Sequence, residues 1–169
     1  MTLDSAKRIM IFGKPGAGKS TFALQLHKKL GLPLFHLDRH FFTHRWTKRN
    51  YDDFMHIQHE LVNQDRWIID GNCTRSLETR YRYADVCIYF NFPRWRCLLG
   101  ILTRLVHKDG AIQDRAAECY EKLTWELLCY LWTFEIRVHD AIANLRTHYP
   151  HVYFIEVRSQ QDLDRLITF

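Results

Sequence analysis

Eight consecutive residues near the start of the chain, GKPGAGKS at 13–20, combine residue types that bind phosphate groups. Their spacing satisfies G-x-x-x-x-G-K-[ST], the P-loop pattern, in which a glycine-rich backbone wraps closely around a polyphosphate. Lys19 places a positive charge on the β- and γ-phosphates, and the Ser20 hydroxyl is a hard oxygen ligand for Mg²⁺. The segment therefore predicts that the chain binds a nucleoside triphosphate together with Mg²⁺.

The residues on either side of this loop have the pattern that such a site needs. Residues 8–12 are a short apolar run typical of a buried strand, and residues 21–30 have apolar positions at helical spacing before Gly31, a typical helix stop. A strand, a glycine loop and a helix in this order place a polyphosphate at a helix N-terminus. The predicted nucleotide-binding residues are Gly13, Pro15, Gly16, Ala17, Gly18, Lys19, Ser20 and Thr21.

Two acidic residues follow predicted strands, Asp38 after residues 34–37 and Asp70 after residues 67–69. In open parallel α/β sheets ligands bind at the carboxyl ends of the strands, so we expect both carboxylates beside the glycine loop. Asp70 resembles a Walker B acid, which holds Mg²⁺ directly or through water. Asp38 is better placed to meet a phosphoryl acceptor, as a base or as a hydrogen-bonding group that orients it. The alternative is that each carboxylate only caps the turn or helix that follows it.

Three arginines, Arg94, Arg96 and Arg104, lie close together in the middle of the chain. Phosphoryl transfer needs positive charge beside the phosphoryl oxygens, and arginine supplies it. Apolar residues fill one face of the predicted helix 93–105, so Arg94 and Arg104 are predicted to point at the nucleotide. The alternative is that these arginines lie on a solvated helix face. The predicted catalytic residues are Lys19, Asp38, Arg94 and Arg104.

Strands and helices alternate along the chain, and the strands are continuously apolar. This pattern predicts an α/β fold with a parallel sheet covered by helices on both faces. Polar residues at 106–122 predict a mobile lid over the site. The predicted strands are 8–12, 34–37, 67–69, 86–90 and 152–157; the predicted helices are 21–30, 51–63, 93–105 and a short C-terminal helix capped by Ser159.

The stretch 123–145 carries apolar residues at three- and four-residue steps. Such a stripe is typical of a core helix, and the alternative is a dimer seam or a groove for a partner. The residues of this stripe are Trp125, Leu128, Leu131, Trp132, Ile136 and His139.

Composition limits the class of protein. A chain of 169 residues with 47% hydrophobic residues is expected to form one domain with its own core, and a formal net charge of +5 favours anionic partners such as nucleotides or nucleic acid. Five cysteines without a C-x-x-C pair are typical of reduced thiols in a cytosolic protein. The first strand begins by residue 8, which leaves no room for a signal peptide, and no apolar run is long enough to span a membrane. We therefore expect a cytoplasmic protein without a membrane segment.

Several blocks of this sequence together resemble the adenylate-kinase-related P-loop proteins often labelled DNA topology modulation (FlaR-like) proteins, which are similar to nucleoside monophosphate kinases. The resemblance covers nearly the whole chain, and WIIDGN at 67–72 is its most specific part. It implies ATP as the nucleotide and a three-layer P-loop NTPase fold, with a five-stranded parallel sheet of order 2-3-1-4-5 and a lid after strand four. The other matching blocks are 13–21, 37–38, 84–85 and 92–94, with Arg80 and Arg104.

The same resemblance implies roles for four arginines. Arg80 and Arg94 would contact phosphate groups, and Arg104 would start the lid and stack near the base. The loop at Arg158 and Ser159 would border adenine.

On the acceptor side the sequence departs from the related kinases. Residues 70–75 read DGNCTR where adenylate kinases carry D-G-F-P-R, and residues 38–40 lack the second acid of the D-x-D that shikimate kinases carry. The acceptor pocket is therefore of neither kind. Its predicted substrate-binding residues are Asp38, His40, Asn72 and Arg80, and Phe41, Phe42, Arg45 and Trp46 are predicted to line it, unless this loop packs its aromatic residues inward.

Two functions remain open on the sequence. The first is an ATP-dependent kinase that moves the γ-phosphoryl group to a small-molecule acceptor, as a monomer or a homodimer. The second is a nucleotide-switched ATPase or binding protein that associates with DNA. The arginines of lid type favour the first, and no DNA-reading module is recognisable in the sequence.

Overall fold

A sheet of five parallel strands lies at the centre of the computed structural model, which describes residues 3–43, 47–106 and 123–167. The strands are β1 (Arg8–Gly13), β2 (Leu34–His36), β3 (Trp67–Asp70), β4 (Val86–Phe90) and β5 (Tyr153–Val157). They are arranged in the order β2-β3-β1-β4-β5, and each neighbouring pair is parallel. The predicted sheet and its order are therefore confirmed.

Helices cover both faces of this sheet. The helices are α1 (Lys19–Leu30), α2 (Leu37–Phe41), α3 (Tyr51–Val62), α4 (Leu77–Tyr81), α5 (Arg94–Val106), α6 (Trp125–His148) and α7 (Gln160–Ile167), with single 3₁₀ turns at Leu3–Ser5 and Thr74–Ser76. Alternate residues of a strand point to opposite faces, so β1 sends Ile9 into the core on one side and Met10 into the core on the other. Helices α1, α5 and α7 pack on the first side, and α3, α4 and most of α6 pack on the second.

Local sequence signals explain where three helices begin or end. Gly31 ends α1 in the left-handed conformation, with φ of 65°. Asn50 caps α3, because its side-chain oxygen accepts a hydrogen bond from the backbone N–H of Asp52 at 2.8 Å. Ser159 caps α7 as predicted, since its hydroxyl oxygen accepts a hydrogen bond from the N–H of Asp162 at 3.2 Å.

The second strand is shorter than predicted. It ends at His36, and Leu37 begins the short helix α2 instead of ending the strand. Leu37 is buried, and its side chain packs so closely on Gly71 that no side chain would fit there. This contact turns the chain into α2 and places Asp38 in the first turn of that helix.

The apolar stripe at 123–145 is not a core stripe as predicted. Leu131 is buried, but Trp125, Trp132 and Ile136 are 75%, 52% and 74% exposed. The buried residues of α6 are Leu131, Phe134, Val138 and Leu145, and of these Leu131 alone belongs to the predicted stripe. The alternative, a seam for a partner, stays a prediction.

Some predicted features fall outside the described residues. They are Arg45 and Trp46 of the predicted acceptor lining, and the predicted lid at 106–122 beyond its first residue. Among the helices that are described, none combines the length and the hydropathy required to cross a membrane.

Candidate nucleotide and acceptor site

The glycine loop joins β1 to α1, because β1 ends at Gly13 and α1 begins at Lys19. Gly16 and Gly18 have φ of 75° and 85°, a left-handed conformation that residues with a side chain rarely adopt. The N–H of Gly13 donates a hydrogen bond to the side-chain oxygen of Asn72 at 3.0 Å, which ties the loop to the end of β3. The loop therefore presents backbone N–H groups at the N-terminus of α1, as an anion site requires.

Helix α5 supports the loop from behind through a contact between glycines. A side-chain carbon on Gly16 would collide with the carbonyl oxygen of Cys97, and one on Gly100 would collide with the carbonyl oxygen of Gly16. The backbone of α5 thus lies directly against the phosphate loop. The sequence analysis missed Gly100, although an isolated glycine inside an apolar helix pattern is a signal of close packing.

Lys19 is the buried cation of the site. Its ammonium group donates a hydrogen bond to the carbonyl oxygen of Lys14 at 2.9 Å. Burial lowers the pKa of Lys19, whereas the negative charges of Asp70 and Asp38 raise it. Arg104 also acts on this pKa, by lowering it. These influences place both predicted carboxylates and one predicted arginine within electrostatic reach of the lysine.

Asp70 is held from one side by a histidine. Its Oδ2 lies 3.0 Å from Nδ1 of His36, the last residue of the neighbouring strand β2. Its Oδ1 is buried and has no hydrogen-bond partner among the described residues. A buried carboxylate oxygen without a partner costs free energy unless a cation or a donor completes it, so Asp70 fits a Mg²⁺ ligand. The sequence analysis did not predict this pairing, because 34 residues separate His36 from Asp70.

A cavity of about 1010 Å³ connects the nucleotide side to the acceptor side. Its walls bring together eight of the predicted site residues: Pro15, Gly16, Lys19, Ser20, Asp38, Asp70, Asn72 and Arg104. Phe41 and Phe42 line it as predicted for the acceptor side. Gly13, Ala17, Gly18 and Thr21 belong to the adjoining loop and the first turn of α1.

Arg80 does not line this cavity. It is fully buried, and its guanidinium donates hydrogen bonds to the carbonyl oxygens of Gly71 at 2.8 Å and Cys73 at 3.0 Å. Burial lowers the pKa of Arg80 to about 10. In this structure the residue supports the loop after β3 from below, and its predicted contact with a phosphate group stays a prediction.

Three further predicted residues lie apart from the cavity walls. The guanidinium of Arg94 is 5.8 Å from the ring centre of Trp132, and Arg158 forms an ion pair with Glu156 at 2.9 Å. His40 is half-buried, and burial lowers its pKa. The roles predicted for Arg94, Arg158 and His40 are therefore left as predictions.

Helix α6 supplies a wall that the sequence analysis missed. Tyr130 lines the cavity, as does Asn72. Burial raises the pKa of Tyr130, so its hydroxyl is neutral. Seven residues further along the helix, Arg137 also lines the cavity. Nothing in the helical pattern distinguishes these two residues from surface positions.

Lys14 is a second buried lysine of the loop that the sequence analysis did not single out. Its ammonium group donates to the carbonyl oxygen of Phe92 at 3.1 Å and to Oε2 of Glu135 at 3.2 Å. These bonds join the loop to the segment that follows β4 and to α6. Lys14 thus stabilises the loop from the side opposite Asn72.

No protein-family model and no curated protein matches this chain. Among solved structures the chain is similar to shikimate kinase from Acinetobacter baumannii in complex with shikimate, with 15% identity and a TM-score of 0.59 over 98% of this chain and 92% of that chain. It is also similar to deoxyadenosine kinase from M. mycoides with dCMP and dCDP bound, with 17% identity and a TM-score of 0.56 over 95% of each chain. A third structure, shikimate kinase from Bacteroides thetaiotaomicron, has 17% identity and a TM-score of 0.54 over 97% of this chain and 95% of that chain.

These likenesses, at low identity, concern the fold. They do not show the resemblance to the DNA topology modulation proteins, which stays a prediction. The sheet order and the strand–loop–helix arrangement at residues 8–30 agree with the structural neighbours. The chain therefore has the fold of the P-loop kinases.

Proposed function

We propose that this protein is an ATP- and Mg²⁺-dependent phosphotransferase that moves the γ-phosphoryl group to a small-molecule acceptor. The observation that carries the proposal is the shared cavity, in which Lys19 and Asp70 meet Asp38 from a different strand end. A site that only bound a nucleotide would not need the carboxylate of Asp38, which lies on the acceptor side of the cavity. The kinase fold of the structural neighbours supports the same conclusion.

The nucleotide side holds the phosphates. Backbone N–H groups of the glycine loop and the ammonium group of Lys19 would bind the β- and γ-phosphates. The Ser20 hydroxyl and Oδ1 of Asp70 would hold Mg²⁺, which neutralises phosphate charge when bound. Arg104, whose charge already acts on Lys19, would add positive charge where the transferred group carries it.

On the acceptor side, Asp38 performs the proton chemistry. Its carboxylate accepts the proton of an acceptor hydroxyl while the hydroxyl oxygen forms a new bond to the γ-phosphorus. The bond between that phosphorus and the β–γ bridging oxygen breaks, and ADP leaves with the bonding electrons. Asp38 later releases the proton to water.

We further infer that residues 1–169 act as a single kinase-like domain in the cytoplasm, with residues 106–122 as its lid. The resemblance to the DNA topology modulation proteins supports ATP as the nucleotide. In this proposal DNA is not the direct substrate, because the charged cavity walls that are described surround a pocket of small-molecule size.

A coupled ADP-release assay tests the function. Mg·ATP is offered with nucleoside monophosphates, nucleosides and small hydroxy-metabolites, and Lys19→Ala is compared with Lys28→Ala, a substitution on the exposed side of the same helix. We expect one acceptor to stimulate ADP release and Lys19→Ala to reduce it at least about 100-fold, because the main phosphate cation is lost. Slow hydrolysis that no acceptor stimulates would contradict the kinase and favour the nucleotide-switched binding protein.

A further inference from the structure

His36 and Asp70 occupy matching positions at the ends of neighbouring strands. In the parallel register of β2 and β3 the two residues are direct partners, and each is the last residue of its strand. Nδ1 of His36 lies 3.0 Å from Oδ2 of Asp70, and the two side chains are only 10% and 4% exposed. Both residues line the cavity, together with Lys19 and Ser20. The register of the sheet therefore brings this imidazole to this carboxylate at the nucleotide side.

The hydrogen bond occupies one of the two oxygens of Asp70. A carboxylate that binds a cation is ionised and only accepts hydrogen bonds, so Nδ1 of His36 carries the hydrogen and donates it to Oδ2. The other oxygen, Oδ1, is buried and accepts no hydrogen bond from the part of the chain that the structure describes. Asp70 thus has one oxygen held by the protein and one oxygen left for a cation.

A carboxylate with one available oxygen suits Mg²⁺ better than Ca²⁺. Mg²⁺ is small, requires near-octahedral geometry and keeps several waters, whereas Ca²⁺ accepts larger shells in which a carboxylate contributes both oxygens. A donor on Oδ2 opposes the second arrangement, because Oδ2 would have to give up its hydrogen bond to bind the ion. His36 therefore influences which cation binds at Asp70, without touching the cation itself.

Other contacts hold the neighbouring parts of the site independently of this hydrogen bond. Leu37, the residue after His36, packs on Gly71 and begins α2. Lys19 lies on the opposite side of the loop–helix junction and donates to the carbonyl oxygen of Lys14 at 2.9 Å. Loss of the imidazole should therefore free Oδ2 of Asp70 and leave these anchors in place.

We propose that His36 is a positioning residue for Asp70, which holds Oδ2, leaves Oδ1 as the single metal-binding oxygen and so favours Mg²⁺ over Ca²⁺. The inference rests on the proposed function, in which Asp70 binds Mg²⁺, and adds the residue that selects the metal. A role in the fold alone would affect nucleotide binding with and without metal. The positioning role affects only the contribution of the metal.

Calorimetric titration with AMP-PNP, a non-hydrolysable ATP analogue, tests the inference without an acceptor. The Kd is measured in EDTA, with Mg²⁺ and with Ca²⁺, and the ratio of the Kd in EDTA to the Kd with a metal gives the contribution of that metal. His36→Leu removes the donor, so we expect the Mg²⁺ ratio to fall about tenfold, the Ca²⁺ ratio to fall less than about threefold, and the Kd in EDTA to stay within about twofold.

Two variants at the same position isolate the hydrogen bond. The side-chain nitrogen of asparagine can take the place of Nδ1, so His36→Asn should keep the Mg²⁺ ratio within about threefold of the unsubstituted chain. The nitrogen of glutamine matches Nε2 instead, so His36→Gln should lose the Mg²⁺ ratio as His36→Leu does. This variant keeps a polar side chain and gives the same test if His36→Leu does not fold.

A histidine elsewhere controls for lost stability. His27 of α1 is half-buried, its Nδ1 lies 2.6 Å from the carbonyl oxygen of Leu32, and it is not part of the described cavity wall. His27→Leu should leave both metal ratios unchanged. In the background of Asp70→Asn, the addition of His36→Leu should cause no further loss of the Mg²⁺ ratio, because His36 acts through Asp70.

Each other outcome overturns the inference in a recognisable way. Equal Mg²⁺ ratios in His36→Leu and His27→Leu, or equal losses in His36→Asn and His36→Leu, would overturn the positioning role while the kinase function stands. A further loss in the Asp70→Asn background would show that His36 acts by another route. Equal losses of the Mg²⁺ and Ca²⁺ ratios would overturn the selection of the metal. If Mg²⁺ did not strengthen AMP-PNP binding to the unsubstituted chain, the inference would fall together with the metal role in the proposed function.

Discussion

The nucleotide side and the acceptor side of the cavity are built in different ways. The phosphate-binding part of the nucleotide side is one continuous loop, and its Lys19 is buried. The backbone contact between Gly16 and Gly100 leaves no room for a side chain on either glycine. The acceptor side is assembled from separate segments, and its charged residues, such as Asp38 and Arg75, are exposed. Packing therefore fixes the geometry of the nucleotide side. Substitution of exposed side chains on the acceptor side can change which acceptor binds, because few other contacts depend on these side chains.

The largest expected effect is a loss of kcat caused by a substitution on the acceptor side alone. Asp38→Asn keeps the shape of the side chain but cannot accept the hydroxyl proton, so kcat should fall roughly 10²- to 10⁴-fold. ATP affinity, measured by titration calorimetry, should change less than about threefold. The matched control is Asp53→Asn, an exposed acid in the first turn of α3. Full transfer by Asp38→Asn would remove Asp38 as the base.

A second substitution weakens the predicted Mg²⁺ site on the nucleotide side. Asp70→Asn should raise the Mg²⁺ concentration for half-maximal activity at least about tenfold, because a carboxylate ligand is replaced by an amide. Nucleotide binding in EDTA should change far less. The control is Asp65→Asn, whose side chain is fully exposed. If both measurements changed equally, Asp70 would have no metal role.

The fold was predictable because its signals are local. Residues 86–90 are continuously apolar and form β4 within the same bounds, and the glycine loop lies between a strand and a helix as its motif requires. The sheet order came from the resemblance of the sequence blocks, since apolar runs alone do not order strands. The observed end of a strand differs from the predicted end where a tertiary contact turns the chain, as does the contact of Leu37 with Gly71 at the end of β2.

The candidate site was predictable where its residues belong to a local pattern, such as the glycine loop or an acid that follows a strand. The pairs His36–Asp70 and Gly16–Gly100 join residues far apart in sequence, and no local pattern reports such contacts. Arg80 shows the same limit. The sequence predicts that its guanidinium contacts a phosphate group. In the structure the guanidinium donates to two backbone carbonyl oxygens, which only the folded loop after β3 brings next to it.

Arg80 holds the loop after β3, and Gly71 and Cys73 of this loop line the cavity. Substitution of Arg80 therefore tests whether the residue supports this loop or contacts a phosphate group. Arg80→Met removes the donor to the buried carbonyl oxygen of Gly71, whereas the carbonyl oxygen of Cys73 still accepts from Ser76, so the free energy of unfolding should fall by roughly 1–3 kcal/mol. Urea unfolding measures this as a lower midpoint at an unchanged m-value. The control is Arg82→Met, an exposed arginine that follows α4. Unchanged stability with a raised KM for the acceptor would instead support the phosphate contact.

The smallest expected effect concerns the outer edge of the nucleotide side, where Arg158 is predicted to border adenine. Its guanidinium is exposed and pairs with both oxygens of Glu156, at 2.9 Å each. Exposed ion pairs contribute little to stability, so Arg158→Ala should leave the unfolding midpoint almost unchanged.

Loss of the predicted contact between the Arg158 guanidinium and adenine, however, should raise KM for ATP roughly two- to fivefold. Because only the base edge is affected, KM for the acceptor should stay constant. The control is Arg165→Ala, an exposed arginine of α7. An ATP KM equal to that of Arg165→Ala would confine the nucleotide site to the loop and the cavity, and would leave base recognition to other residues.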